Sequence, residues 1–124
     1  MDIVYLHGMK VDCVIGIWDW ERRIRQTITI DLDMAADVAR AAASDALEDL
    51  LNYKAVSKRI RAFVEESSFQ LVETLAERVA AVLREEFAIP WVRVRISKQG
   101  AVRGARDVGV VIERGARTEI PVDG

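Results

Sequence analysis

The hydrophobic period of this chain changes twice, from two to about 3.6 and back, and that pattern limits the fold more tightly than any single motif. Ile28, Ile30, Leu32 and Met34 alternate with Thr27, Thr29, Asp31 and Asp33, which marks a strand with one apolar and one polar face. From Tyr53 the spacing lengthens: Val56, Ile60, Phe63 and Val64 share one side of a helix ending near Glu66. Ser67 and Gln70 stand at capping-box spacing and predict the start of a second helix. Leu71, Leu75, Val79, Val82 and Leu83 would lie on its apolar side, and Pro90 closes the region. Val92, Val94 and Ile96 then alternate with Arg93, Arg95 and Ser97, and beyond a loop over 99–107, Val108, Val110 and Ile112 predict a fourth strand. At the other end, residues 3–15 read as a long strand with a bulge at Gly8, followed by a connecting loop over 16–25. Residues 35–43 would hold a helical turn or two, and 44–52 are irregular. The order strand, strand, helix, helix, strand, strand is an α+β arrangement, a four-stranded antiparallel sheet with two helices on one face.

The 124 residues are the size of one domain. Residues 1–115 are expected to form it. Residues 116–124, which include Pro121 and Gly124, are expected to be a disordered C-terminal tail. A formal net charge of −2 argues against a nucleic-acid binder. With the single cysteine Cys13 no intramolecular disulfide can form, and the single histidine His7 argues against a Cys/His metal site. A site made only of carboxylates is left open by counting. No basic segment and apolar run open the chain, and no stretch approaches the ~18 apolar residues of a membrane span, so a cytoplasmic location is the expectation.

The polar sheet face has two readings. Asp31 and Asp33 can meet Arg93 and Arg95 across neighbouring strands, either as a solvated surface or as the lining of a water-filled tunnel formed when several sheets close into a ring. Two exposed sheet edges favour some edge-to-edge assembly.

Lys98 continues the even-numbered apolar series of its strand, so it leaves on the helix-covered side; it either snorkels to water or is a partly desolvated amine suited to acid–base work. Glu73 lies about 20° outside the apolar arc of the second helix. It is either a favourable carboxylate at a helix N-terminus or a grip for an amidine-like ligand edge. Tyr53 falls on the apolar side of the first helix, where a core or interface role is the ordinary one. Glu21 reads as surface charge, Cys13 as small core filler. Ser44 lacks the neighbours of a hydrolase nucleophile, and Gly100 and Gly104 bracket a turn without a phosphate-binding fingerprint. Arg22, Arg23 and Arg25 could favour an anionic ligand, diluted by Asp19 and Glu21. Glu86 points into the apolar arc of its helix, for which a fraying helix end is the one account the sequence offers.

Taken in order, several segments resemble one family. Met1-Asp2-Ile3-Val4, Val14-Ile15-Gly16-Ile17-Trp18-Asp19-Trp20-Glu21-Arg22, Leu51-Asn52-Tyr53, Phe69-Gln70-Leu71-Val72-Glu73, Pro90-Trp91-Val92-Arg93, Ser97-Lys98-Gln99-Gly100-Ala101-Val102 and Val108-Gly109-Val110-Val111-Ile112-Glu113-Arg114 are similar in order and spacing to the bacterial dihydroneopterin aldolases. The resemblance implies the tunnelling fold (T-fold), with four subunits joining their sheets into a barrel, two such rings stacking into an octamer, and active sites between subunits. It implies a lyase of folate (tetrahydrofolate) biosynthesis that takes a pterin substrate, 7,8-dihydroneopterin, and needs no metal, no organic cofactor and no Schiff base. It assigns pterin anchoring to Glu73, a backbone contact to Val72, stacking and proton transfer to Tyr53 from another subunit, a place in the site to Glu21, and catalysis to Lys98. Gln99 departs from the family, which usually has proline after that lysine. The rivals are a related epimerase acting on dihydroneopterin or its triphosphate, whose activity can coexist with the aldolase, and a non-catalytic ring scaffold of the same fold.

Overall fold

The computed structural model describes residues 1–116. Four strands form one antiparallel sheet in sequence order: β1 (Ile3–Cys13), β2 (Gln26–Ala35), β3 (Trp91–Gln99) and β4 (Asp107–Gly115). Between β2 and β3 come a short helix α1 (Val38–Ser44), then α2 (Tyr53–Glu66) and α3 (Val72–Glu86). The expected sheet and helix pair are present, and the helical turns expected over 35–43 form α1 as a third, shorter helix. The tail expected from residue 116 onward lies outside the described residues from position 117.

The core follows from the two periods. Ile28, Ile30, Leu32 and Met34 of β2 and Val92, Val94 and Ile96 of β3 are buried on the sheet face under the helices. Val56, Ile60 and Val64 of α2 and Leu75, Val79 and Leu83 of α3 close over them, α2 against β1 and α3 against β3 and β4. Each such side chain stabilises the fold by roughly 1.5–3 kcal/mol through loss of water-exposed apolar surface.

The bulge falls where the glycine predicts it. Leu6 pairs with Leu32 but Met9 with Ile30, so β1 carries one extra residue, and Gly8 takes the left-handed φ of 73° that this requires. The Asp31 carboxylate accepts the Gly8 amide at 2.7 Å. The insertion changes parity, so Val4 and Leu6 before it, and Met9, Val11 and Cys13 after it, all serve the same apolar face. Cys13 is core filler as expected, and burial pushes its thiol up to about 11, far from a reactive thiolate.

The register sets Asp31 opposite Arg95 and Asp33 opposite Arg93, as the polar alternation suggested. Within the subunit, however, both carboxylates turn toward β1: Asp33 meets His7 Nε2 at 2.6 Å and Asp31 caps the bulge. Among the described residues the outer edges of β1 and β4 have no partner strand.

Two expectations fail. Ser67 and Gln70 form no capping box, because α3 begins only at Val72, with Leu71 at its N-cap and no side-chain cap. Ser67 instead ends α2, its amide and hydroxyl both donating to the Val64 carbonyl, the latter at 2.6 Å. Glu86 does not enter the apolar layer. It accepts two hydrogen bonds from Arg59 of α2, at 2.8 and 3.0 Å, and so ties the two helices together at the surface.

Candidate active site

A cleft of 330 Å³ opens where the end of β1, the start of β2, the start of α3 and the end of β3 converge. One wall is the loop after β1, with Ile15, Gly16, Ile17, Trp18, Trp20 and Glu21. The other is the segment Gln70, Leu71, Val72 and Glu73. Lys98 and Gln99 form part of the floor.

Lys98 leaves β3 on the helix-covered side, between Ile28 and Val108 in register, as its phase predicts. Its side chain is only 13% exposed, so it does not simply snorkel to water. Its Nζ donates to Glu21 Oε2 at 2.7 Å. The expectation that Glu21 is surface charge is therefore wrong: it is 5% exposed and is held on three sides. Lys98, Gln26 Nε2 at 3.0 Å and the Trp18 amide at 3.3 Å all donate to its carboxylate. The Lys98 hydrogen bond is the main reason that the Glu21 carboxyl is held below the ordinary carboxylate value, against the opposing effect of burial. The loop has no period from which such inward rotation could be read.

Gly16 makes this possible. Its φ of 130° suits glycine, and a Cβ there would come within 2.2–2.4 Å of the Glu21 carboxylate. Gly16→Ala is expected to push Glu21 away from Lys98, lowering stability by about 1–3 kcal/mol from backbone strain alone and lowering turnover with it. Thermal unfolding and a rate assay would check this, and unchanged values in both would show that the close approach is unimportant.

Glu73 is the second residue of α3 and stands exposed on the cleft wall. Val72 precedes it as the first helical residue. Because no side chain caps α3, the first amides of the helix are free to donate to something in the cleft. Gln70, expected to cap, lines the cleft instead.

Tyr53 is not among the residues lining this cleft. It starts α2, whose other end lies at the cleft side of the subunit, where Arg25 Nη2 donates to the carbonyls of Glu65 and Asp12 at 2.7 and 3.2 Å. A 14-residue helix is about 21 Å long. Tyr53, 45% exposed, therefore cannot meet Lys98 within one chain.

Sequence reasoning overlooked Gln26, Gly16 and the use made of Arg22. Gln26 had a signal, since it continues the even-numbered buried series of β2; its amide bridges the Ile15 carbonyl at 2.7 Å and Glu21. Two of the three arginines expected to attract an anion, Arg22 and Arg25, are committed elsewhere. Arg22 donates to the carbonyls of Gly16, Phe69 and Ser68, and Arg25 to those of Asp12 and Glu65. Among the described residues no group of three or more His, Cys, Asp or Glu could hold a metal ion, and no helix is long and apolar enough to cross a membrane.

A single four-stranded antiparallel sheet backed by helices is the architecture of a T-fold subunit, and its cleft is lined by the Lys98–Glu21 pair and by a second carboxylate, Glu73. The family model of FolB, dihydroneopterin aldolase, matches residues 4–113, and the chain belongs to that family. The dihydroneopterin aldolase of Escherichia coli K12 is 45% identical over 115 residues, covering 93% of this chain and 94% of that one. The crystal structure of E. coli dihydroneopterin aldolase in complex with neopterin superposes with a TM-score of 0.89 at 45% identity, covering 93% of this chain and all of the other. The dihydroneopterin triphosphate 2'-epimerase of E. coli K12 is 31% identical over 110 residues, 89% of this chain and 92% of that one.

Proposed function

We propose that this chain is a dihydroneopterin aldolase of folate biosynthesis, cleaving 7,8-dihydroneopterin into 6-hydroxymethyl-7,8-dihydropterin and glycolaldehyde. Its residues 1–115 would act as one domain in the cytoplasm. The observation that carries the reading is the buried Lys98–Glu21 pair standing across one cleft from Glu73. It is supported by the 45% identity to an aldolase against 31% to an epimerase.

Chemistry assigns the roles. A retro-aldol step needs an electron sink beside the breaking carbon–carbon bond, and the C=N bond of the dihydropterin ring is one. The protein then has to orient the ring and move protons. Glu73 grips the 2-amino group and the adjacent ring nitrogen through two hydrogen bonds, and the backbone at Val72 holds the ring beside it. Lys98, placed by Glu21, acts through a water to remove the side-chain hydroxyl proton on the carbon that leaves as the aldehyde. The bond electrons move into the ring, whose nitrogen takes up a proton. The enol-like intermediate is then protonated on carbon with help from Tyr53, while the ring nitrogen gives up its proton and the ring C=N bond re-forms.

Because Tyr53 and the cleft occupy opposite ends of one subunit, this reading requires a second copy to bring its Tyr53 to the site. The proposed assembly is a ring of four, stacked into an octamer, joined through the β1 and β4 edges with the polar face of the sheet turned to the lumen. Incubation with 7,8-dihydroneopterin, following both glycolaldehyde and the 2'-epimer, tests the assignment. Glycolaldehyde as the main product is expected; epimer without glycolaldehyde would make the protein an epimerase, and neither product would leave a ring scaffold.

A further inference from the structure

The grip and the proton-transfer pair of the proposed site are carried by two different connecting segments. Glu21 belongs to a 3-10 turn (Glu21–Arg23) in the loop between β1 and β2, and Glu73 follows the link between α2 and α3. Successive residues of such a turn point about 120° apart. Glu21 is thereby turned inward to Lys98, while Arg22 is turned toward the other segment.

Arg22 reaches both walls. Nη1 donates to the Gly16 carbonyl at 3.1 Å and to the Phe69 carbonyl at 3.1 Å, and Nη2 donates to the Ser68 carbonyl at 2.5 Å. Gly16 is the residue whose Cα faces the Glu21 carboxylate, and Ser68 and Phe69 lie just before the wall formed by Gln70, Leu71, Val72 and Glu73. A guanidinium is a rigid planar fork of five donors, so it can hold acceptors from two segments at one spacing.

We propose that Arg22 is a positioning residue that sets the gap between the Lys98–Glu21 pair and the Glu73 grip. The inference rests on the function proposed above and extends it to a residue that would not touch the substrate. Each wall has its own support. The first is held by the hydrogen bonds around Glu21 and Gln26, and the second by the buried face of α3 and by Phe69, whose ring packs 6.4 Å from that of Phe63. Loss of Arg22 therefore changes the spacing and not the fold. Ring binding is local to the Glu73 wall, whereas bond cleavage needs both walls, so the defect belongs in kcat and not in KM.

The test is Arg22→Met in the full chain with 7,8-dihydroneopterin. The expected result is a fall in kcat on the order of 10- to 100-fold with KM within about threefold. Partial recovery is expected in guanidinium chloride at tens of millimolar, roughly a hundredth of denaturing strength, and none in the same concentration of sodium chloride. A kcat within about twofold of wild type, a loss carried wholly by KM, or no recovery in guanidinium overturns the proposal. Should Arg22→Met be insoluble, Arg22→Lys takes its place: a single ammonium cannot reproduce the fork, so a smaller loss, again in kcat alone, is expected, and unchanged kcat overturns the proposal. Amide hydrogen exchange over 16–21 and 68–73 judges the clamp without substrate. Faster exchange in both segments upholds it and unchanged exchange overturns it. A wild-type chain that releases no glycolaldehyde would refute the proposed reaction, and the exchange measurement would still decide on Arg22.

Discussion

Lys98→Ala is expected to lower turnover of 7,8-dihydroneopterin by roughly 10²–10⁴-fold while leaving pterin affinity within about threefold, because the amine serves proton transfer and not the grip on the ring. The substitution also strands a buried carboxylate. Removing one partner of a buried pair costs about 3–5 kcal/mol. The smaller figure is expected here, since Glu21 keeps the Gln26 and Trp18 donors. A second variant separates the two effects: Lys98→Ala combined with Glu21→Gln removes the stranded charge, so stability should return and turnover should not. If turnover returns as well, the loss was structural. The same variant tests the shared site. Subunits carrying Lys98→Ala, co-assembled with subunits carrying Tyr53→Ala, should regain activity at roughly one site in four by random pairing. No recovery in mixed assemblies would mean that Tyr53 does not act across subunits.

The second large effect is expected at Glu73. Two hydrogen bonds to a charged acceptor, at roughly 1.5 kcal/mol each, amount to about 3 kcal/mol, or about a hundredfold in affinity. Glu73→Ala should therefore raise the dissociation constant for neopterin by that order, measured by calorimetry or by quenching of the tryptophans on the opposite wall. Turnover at saturating substrate should change much less. The fold should be untouched, because Glu73 is exposed and outside the packed face of α3. Lys98 and Glu73 variants with the same pattern of binding and turnover would dissolve the division of roles between the two walls.

The site was legible from the sequence in uneven measure. Lys98 could be placed on the helix-covered face from parity alone, because strand geometry gives each position a side. The bulge at Gly8 was legible for a related reason, since the apolar series changes parity across a glycine. The capping box fails because Ser67 and Gln70 have the right spacing and the wrong neighbours: the chain bends at Gln70 and is extended at Leu71 before the helix begins. Glu86 looked misplaced because its partner, Arg59, lies on another helix and is invisible to a wheel drawn for one.

What the sequence determined by itself was the alternation of periods, and with it the sheet, the two long helices, the buried face and, by resemblance, the family. These follow from local rules, since burial repeats every two residues on a strand and every 3.6 on a helix. Only the tertiary structure decided that Glu21 is buried against Lys98, that Arg22 spans two segments instead of facing an anion, and that Tyr53 stands a helix length away from the cleft. Those are contacts between loops and ends distant in sequence. They are set by how the packed layers bring termini together, and no period within one segment encodes them.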